Sequence, residues 1–268
     1  MSEPNEPRIV IERDGAVAHV VMNRPDKRNG LDLEMFEGLV EAGRTLATDR
    51  AVRAVVLSGR GKAFCAGLDF MAFLAAPTTG ERLLARSGDS PANLAQATAW
   101  VWREVPVPVI AAIHGQAFGG GLQIALGADL RYVAPDAQLS VMEIRWGLVP
   151  DMGASQTLLR VVRPDIAKEL TWTGRVVSGE EAVALGLATR TAEDPLAAAM
   201  ETAQGIAGRS PDAIRRAKAL YDAVPTLSVA DGLALETALQ VELLGSPNQM
   251  EAVRANFEKR PPRFDDPS

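Results

Sequence analysis

The sequence predicts an α/β core followed by a helical tail, on three observations. A strand–turn–helix module occurs twice: Ala54-Val55-Val56-Leu57 runs into a glycine-containing turn, and Val109-Ile110-Ala111-Ala112-Ile113 leads to Gly119-Gly120-Gly121. Asp14-Gly15 joins two β-rich runs, a strong hairpin signal. From Ser178 onward, helix-start signals recur. Strands alternating with helices argue for an α/β core, here residues 1–195, with a helical region over 196–268.

Taken in order, residues 8–22 read as the two hairpin strands, and Asn23-Arg24-Pro25-Asp26 breaks the pattern. An amphipathic helix follows over 32–48, with Met35, Phe36, Leu39, Val40 and Leu46 on its apolar face. The polar, Gly/Pro/Thr-containing stretch near 75–92 reads as a mobile loop or lid. Strand 109–113, a turn at His114-Gly115, a helix over 122–128 and strand 130–133 come next. Asp151 is placed to N-cap a helix over 152–162. Ser178-Gly-Glu-Glu181 fits a capping box. Ser210-Pro211 opens another helix with proline at its first position. The tail reads as helices at 195–208, 211–222, 228–244 and 247–258.

Composition narrows the function. With 268 residues and 47% hydrophobic content, the chain can bury a large core and is not a solvated coil. A net charge of −6 argues against nucleic acid as a partner. The single Cys65 excludes an internal disulfide and a multi-cysteine zinc site. His19 and His114 are the two histidines, so histidine-rich metal or hydrolase chemistry has little material. Nothing in the polar start reads as a secretory signal, and the apolar stretch Val105–Ile113 is short and carries two prolines. The expectation is a soluble cytoplasmic protein with neither a membrane nor a nucleic-acid partner, and without a metal.

The chemistry-bearing candidates cluster at the ends of the two modules. Gly59-Arg-Gly-Lys62 lacks Walker spacing, Gly115–Gly121 does not match the dinucleotide fingerprint, and no Gly-x-Ser-x-Gly elbow is present. A strand running into three glycines and a helix still leaves helix N-terminal N–H groups free for something electron-rich, or else marks tight strand–helix packing. Ala66-Gly67 occupies the equivalent place in the earlier module, so two free amides can form an oxyanion hole. Glu143 lies in the otherwise apolar Leu139–Pro150 segment. There it either loses hydration and becomes an acid/base near neutrality or pairs with Arg145. Asp151 and Asp69 are helix caps that can double as site residues, and Gln123 faces either the site or solvent. His114 is more simply structural, Cys65 has no base near it in sequence, and Trp100 and Trp102 read as core or lid residues.

Asn23-Arg-Pro25…Asn29, Gly61-Lys-Ala-Phe-Cys-Ala-Gly-Leu-Asp69, Pro108–Gly121, Ala128-Asp-Leu-Arg131, Gly147-Leu-Val-Pro150 and Phe257-Glu-Lys-Arg260 together resemble the crotonase superfamily. This is the enoyl-CoA hydratase/isomerase family, and the likeness runs from about residue 8 to 264. It implies a crotonase-like spiral of ββα units with a C-terminal helical region that builds homotrimers, often paired into hexamers. It implies an acyl-CoA thioester as substrate, with CoA part of that substrate and no other cofactor. The amides matching Ala66 and Gly120 would hold the thioester oxygen and stabilise an enolate. Arg24, Lys27, Arg28 and Lys62 lie near loops where relatives hold CoA, Leu68, Asp69 and Gly119 line the same region, and Lys259 matches a lysine that reaches a neighbouring subunit's CoA.

Departures from the family pattern decide the expected reaction. Family hydratases position and split water with two glutamates; the second matches Glu143, but the first matches Gln123, which neither takes nor gives a proton. One lost acid–base step is worth roughly 10²–10⁴ in rate. Asp151, eight residues beyond Glu143, resembles the dienoyl-CoA isomerase branch, although that branch has an aspartate where this chain has Gln123. The expectation is double-bond isomerisation with Glu143 as principal acid/base and Asp151 assisting. The alternatives are a 2-enoyl-CoA hydratase in which Gln123 orients the water and a non-catalytic acyl-CoA-binding member.

Overall fold

The computed structural model describes residues 6–75, 78–86 and 90–267. β1 (Ile9–Asp14) and β2 (Val17–Met22) pair antiparallel, and Gly15 at φ 57° makes the turn in a conformation that favours glycine. A 3-10 turn at Pro25–Lys27 precedes α1 (Leu33–Thr48), which Asp32 caps by accepting the Met35 N–H at 3.0 Å. β3 (Ala54–Gly59), α2 (Phe70–Ala75), α3 (Thr79–Leu84), α4 (Leu94–Glu104) and β4 (Val109–Ile113) follow. β5 (Gln116–Phe118), α5 (Gly120–Gly127), β6 (Leu130–Val133) and β7 (Gln138–Ser140) come next. After a 3-10 turn at Glu143–Trp146 the chain forms α6 (Ala154–Thr157), α7 (Pro164–Thr173), β8 (Val177–Ser178), α8 (Gly179–Leu185) and β9 (Arg190–Thr191). It ends in α9 (Pro195–Ala207), α10 (Pro211–Ala223), α11 (Val229–Leu243) and α12 (Pro247–Glu258).

Six strands form one sheet in the order β1-β2-β3-β4-β6-β9, parallel except for the β1–β2 hairpin, and β5-β7-β8 form a second, small sheet. Parallel strands covered on both faces read as continuous apolar runs, which is why β3 and β4 are buried throughout. Val55, Leu57, Val109, Ala111 and Ile113 face the main core with α1, α4 and α5. Ala54, Val56, Ile110 and Ala112 face Ala199 and Ala203 of α9. The first tail helix thus lies against the sheet, while α11 leaves Val229, Leu233 and Val241 exposed and α12 leaves Phe257 exposed.

Three local expectations change. Two short helices, α2 and α3, occupy part of the stretch read as a mobile loop; residues 76–77 and 87–89 lie outside the described residues. Asp151 caps no helix: Gly153, at φ 92°, precedes the four-residue α6, and a 3-10 turn at Leu158–Arg160 replaces the rest of the expected helix. Ser178 does accept the Glu181 N–H, but the Glu181 carboxylate pairs with Arg175 at 2.6 Å instead of closing the box. The reciprocal box sits at Asn93 and Gln96, where α4 begins.

Asn29 stitches the loop after β2 to the loop after β3. Fully buried and at φ 54°, it accepts the Arg24 N–H at 2.9 Å and donates to the carbonyls of Arg60, Ala63 and Phe64 at 3.0, 2.8 and 3.1 Å. Asn29→Ala leaves those groups without partners and puts a side chain unsuited to positive φ there. The expected loss is about 2–4 kcal/mol, read by urea denaturation; a loss below about 1 kcal/mol would contradict this role.

Candidate active site

The site forms where the two strand–turn–helix modules touch. Cys65 donates its N–H to Gln116 O at 2.9 Å, and Phe118 returns one to Cys65 O at 3.0 Å. Glycine is required for this approach: a Cβ on Gly121 would lie 2.3 Å from Cys65 O, and one on Gly120 would lie 2.7 Å from Met152 Sδ. Gly119, at φ 52°, sets the entry to α5 and lies against Glu143, 3.2 Å from its Oε1 to an added Cβ.

The free amides are not both where the sequence placed them. Ala66 donates its N–H to Arg28 O at 2.9 Å, so the expected Ala66 donor is already engaged. Leu31 and Leu68 form a parallel bridge through Leu31 N–H to Gly67 O and Asp69 N–H to Leu31 O. A parallel bridge engages the residues on either side of Leu68 and leaves its own N–H free. Among the described residues no acceptor meets the Leu68 N–H or the Gly120 N–H. Both residues line a cavity of about 540 Å³, together with Gly119, Glu143 and Asp151. Which amide of the 66–68 loop stays free depends on pairing with Leu31, and the local motif carries no signal of that.

Gln123 is 2% exposed and faces the site. Its Nε2 donates to Glu143 Oε1 at 2.6 Å, while its Oε1 accepts the N–H groups of Met152 and Ala154 at 2.8 and 3.2 Å. Glu143 makes no ion pair with Arg145 among the described residues, and its buried Oε2 has no hydrogen-bond partner. Burial, reinforced by the nearby Asp151 charge, pushes the Glu143 carboxyl above its ordinary range. Asp151 stands at the exposed edge of the same cavity, where partial desolvation raises it too. Two acids that hold protons more tightly than usual therefore border one apolar cavity.

A family model for enoyl-CoA hydratase/isomerase matches residues 12–267. The chain belongs to that family. A provisionally named enoyl-CoA hydratase of Thermus thermophilus is 38% identical over 93% of this chain and 98% of its own length. The mitochondrial Delta(3,5)-Delta(2,4)-dienoyl-CoA isomerase of Mus musculus is 34% identical over 91% of this chain and 77% of that protein. The solved enoyl-CoA hydratase of Bacillus anthracis superposes with a TM-score of 0.89 at 29% identity, covering 97% of this chain and 100% of that one. The fold is the crotonase fold, with the C-terminal helices the resemblance implies.

The remaining candidates divide sharply in this family member. Arg24, 12% exposed at its side chain, is held by Asp69 at 2.8 Å, Asp32 at 3.4 Å and Gly30 O at 2.9 Å. It clamps the loop through its Nε and Nη1. Asp69 also caps α2 through the Ala72 N–H at 3.1 Å, as expected. Lys27, Arg28 and Lys62 are exposed on the two loops that Asn29 stitches together. Lys259 is the left-handed C-cap of α12 and does not line the cavity.

His114 bonds Gly61 O at 3.0 Å, and His19 bonds Ser58 Oγ at 2.8 Å, so both serve the scaffold. The Cys65 thiol is fully buried and donates to Asn29 O at 3.1 Å, and burial pushes its pKa up to about 12, far from the thiolate a nucleophile needs. Trp102 is core, with its Nε1 donating to Thr98 O. Among the described residues no group of three or more His, Cys, Asp or Glu could hold a metal, and no helix is long and apolar enough to cross a membrane.

Glu143 carries a stability cost that depends on pH. Its folded-state pKa lies above the unfolded value, so the native chain binds protons more tightly and loses stability as pH rises through that interval. Below the unfolded pKa both states are protonated and the cost vanishes. Glu143→Gln is therefore expected to raise the urea midpoint at pH 8 and to change it little near pH 4. Equal effects at both pH values would refute the assignment.

Proposed function

We propose that the chain isomerises a carbon–carbon double bond in an acyl-CoA thioester, with Glu143 as the principal acid/base. The observation that carries this is the Gln123 carboxamide. Its nitrogen is bound to Glu143 and its oxygen to two backbone N–H groups, so it neither exchanges a proton nor has an oxygen lone pair directed at a water. Hydration needs an activated water and a proton donor for the adjacent carbon. Isomerisation needs removal of a proton from one carbon and its delivery to another, which carboxyl groups accomplish without water.

In the proposed cycle the thioester oxygen accepts hydrogen bonds from the Leu68 and Gly120 N–H groups, beside Gly119. Glu143 Oε2 takes a proton from the acyl chain, and the electron pair delocalises into an enolate whose negative oxygen those amides stabilise. The far carbon then receives a proton from Glu143 or from Asp151, and the double bond has moved with no atom gained or lost. Lys27, Arg28 and Lys62, exposed on the two loops, meet the CoA phosphates, and no cofactor beyond the substrate's own CoA takes part. Arg24 and Ala66 act one step back, by holding the loops.

The test is turnover of 3-enoyl- and 3,5-dienoyl-CoA in deuterated water, read by mass spectrometry. A moved double bond with no added water is expected. Glu143→Gln is expected to lower kcat by roughly 10²–10⁴, and Asp151→Asn by less. Addition of one water mass to a 2-enoyl-CoA at comparable rate, with Glu143→Gln fully active on the isomerisation, would sink the reading.

We also propose that the active form is a homotrimer, alone or paired into a hexamer. α11 and α12 expose Val229, Leu233, Val241, Met250 and Phe257, a surface that a single copy leaves in water at a cost. In such an assembly Lys259 serves a neighbouring copy's CoA. Light scattering should report three or six chains; a stable monomer at micromolar concentration would overturn the assembly.

A further inference from the structure

Aromatic residues make up 5% of this chain, yet Phe36, Phe70, Phe73, Phe118 and Trp146 all line the one 540 Å³ cavity. Three of them sit beside the groups to which the mechanism assigns roles. Phe70 lies two residues after Leu68, Phe118 two residues before Gly120, and Trp146 three residues after Glu143 on the same 3-10 turn. Phe70 and Trp146 pack directly on each other in the cavity lining, with ring centroids 4.1 Å apart and planes tilted by 32°. Three of the rings thus stand on the chain segments that carry the proposed amides and acid.

The far wall restricts the tail as well. Leu31, Phe36 and Phe73 separate this cavity from a second one of about 270 Å³. That second space is bordered by Arg8, Asp32 and Glu34, with Arg8 paired to both acids at 3.0 and 3.3 Å. A long alkyl chain continuing in that direction would meet the Phe73 ring and then a charged cluster, an unfavourable place for methylene groups. A compact flat group stops short of it and gains offset or edge-on contacts with several rings.

We infer that this site selects acyl-CoA thioesters whose acyl group carries an aryl ring over those with straight saturated chains of equal carbon number. The inference rests on the acyl-CoA reading of the site but not on the reaction proposed there. Phe70 and Trp146 are the specificity-determining pair. Packed on each other, they offer the cavity an aromatic wall on which a flat group lies, whereas a flexible alkyl chain has no face to offer and loses more rotamer freedom on entering.

The experiment compares 3-phenylpropanoyl-CoA with nonanoyl-CoA by titration calorimetry on the purified full-length chain. Both acyl groups have nine carbons, and neither has an acyl-chain double bond to move, so binding is read apart from turnover. The aryl ester is expected to bind at least about tenfold tighter, although the alkyl ester has the more flexible and extended apolar surface. In a Phe70→Leu, Trp146→Leu double variant, verified as folded by its melting curve, the ratio is expected to fall to about one. Equal or reversed affinities in the unmodified protein would overturn the inference, as would a ratio that survives in the double variant. Failure of both esters to bind would overturn it together with the acyl-CoA reading. A tenfold preference with no isomerase activity on any dienoyl ester would uphold it and overturn only the proposed reaction.

Discussion

The geometry of the site depends on one buried carboxamide. Gln123 rises from the first turns of α5 and ties the Glu143 turn to the Met152–Ala154 backbone. A buried amide must have partners for both its nitrogen and its oxygen, and here those partners lie at either end of the one connection between β7 and α6. A glutamate at this position could accept the two backbone N–H groups but, when ionised, would face Glu143 with a like charge where a donor is required. The amide instead fixes one oxygen of Glu143 and leaves the other, Oε2, without a partner. The result is one carboxyl oxygen held and one left open, the arrangement on which the proposed acid/base role of Glu143 rests.

What lets Gln123 reach its partners is the absence of side chains beside it. Gly119, Gly120 and Gly121 allow the Glu143 carboxyl, Met152 and the Cys65 backbone to close to distances that any Cβ would block. Asn29 performs the complementary task on the opposite loop, holding the carbonyls that precede Cys65. The loop carrying Leu68 is then aligned by its bridge to Leu31, and the N–H left over is a by-product of strand pairing. Backbone hydrogen bonding, not a dedicated side chain, determines which amides are available for an anion.

That origin explains what could be read from the residues alone. The hairpin at Asp14-Gly15, α1, the buried β3 and β4, and the four tail helices all have local causes: turn chemistry, amphipathic period, apolar runs and Ser or Asp N-caps. The meeting of Gln123, Glu143 and Asp151 followed from the family resemblance. The free amide at Leu68 did not, because it depends on Leu31, far away in sequence. β5 and β7, at three residues each, are too short for a period to emerge. Asp151 gave a capping signal that the left-handed Gly153 cancelled two residues later. Arg24 carried a charge suited to phosphate, but Asp32 and Asp69 take it up through pairing that no linear pattern encodes.

The apolar lining has consequences beyond room for an acyl group. Low polarity around Glu143 raises its affinity for a proton, which makes it a stronger base toward a weakly acidic carbon once it is ionised. The same apolar surroundings would strengthen hydrogen bonds from the Leu68 and Gly120 N–H groups to the oxyanion of the proposed cycle. Both effects weaken if water enters freely, and entry of water is what a hydratase must permit. Asp151, at the exposed edge, is the group that can exchange protons with solvent without opening the interior. In the proposed cycle, a partly buried base beside aromatic rings and a second acid at the rim would separate proton removal from proton exchange, and that separation would favour moving a double bond over adding water to it.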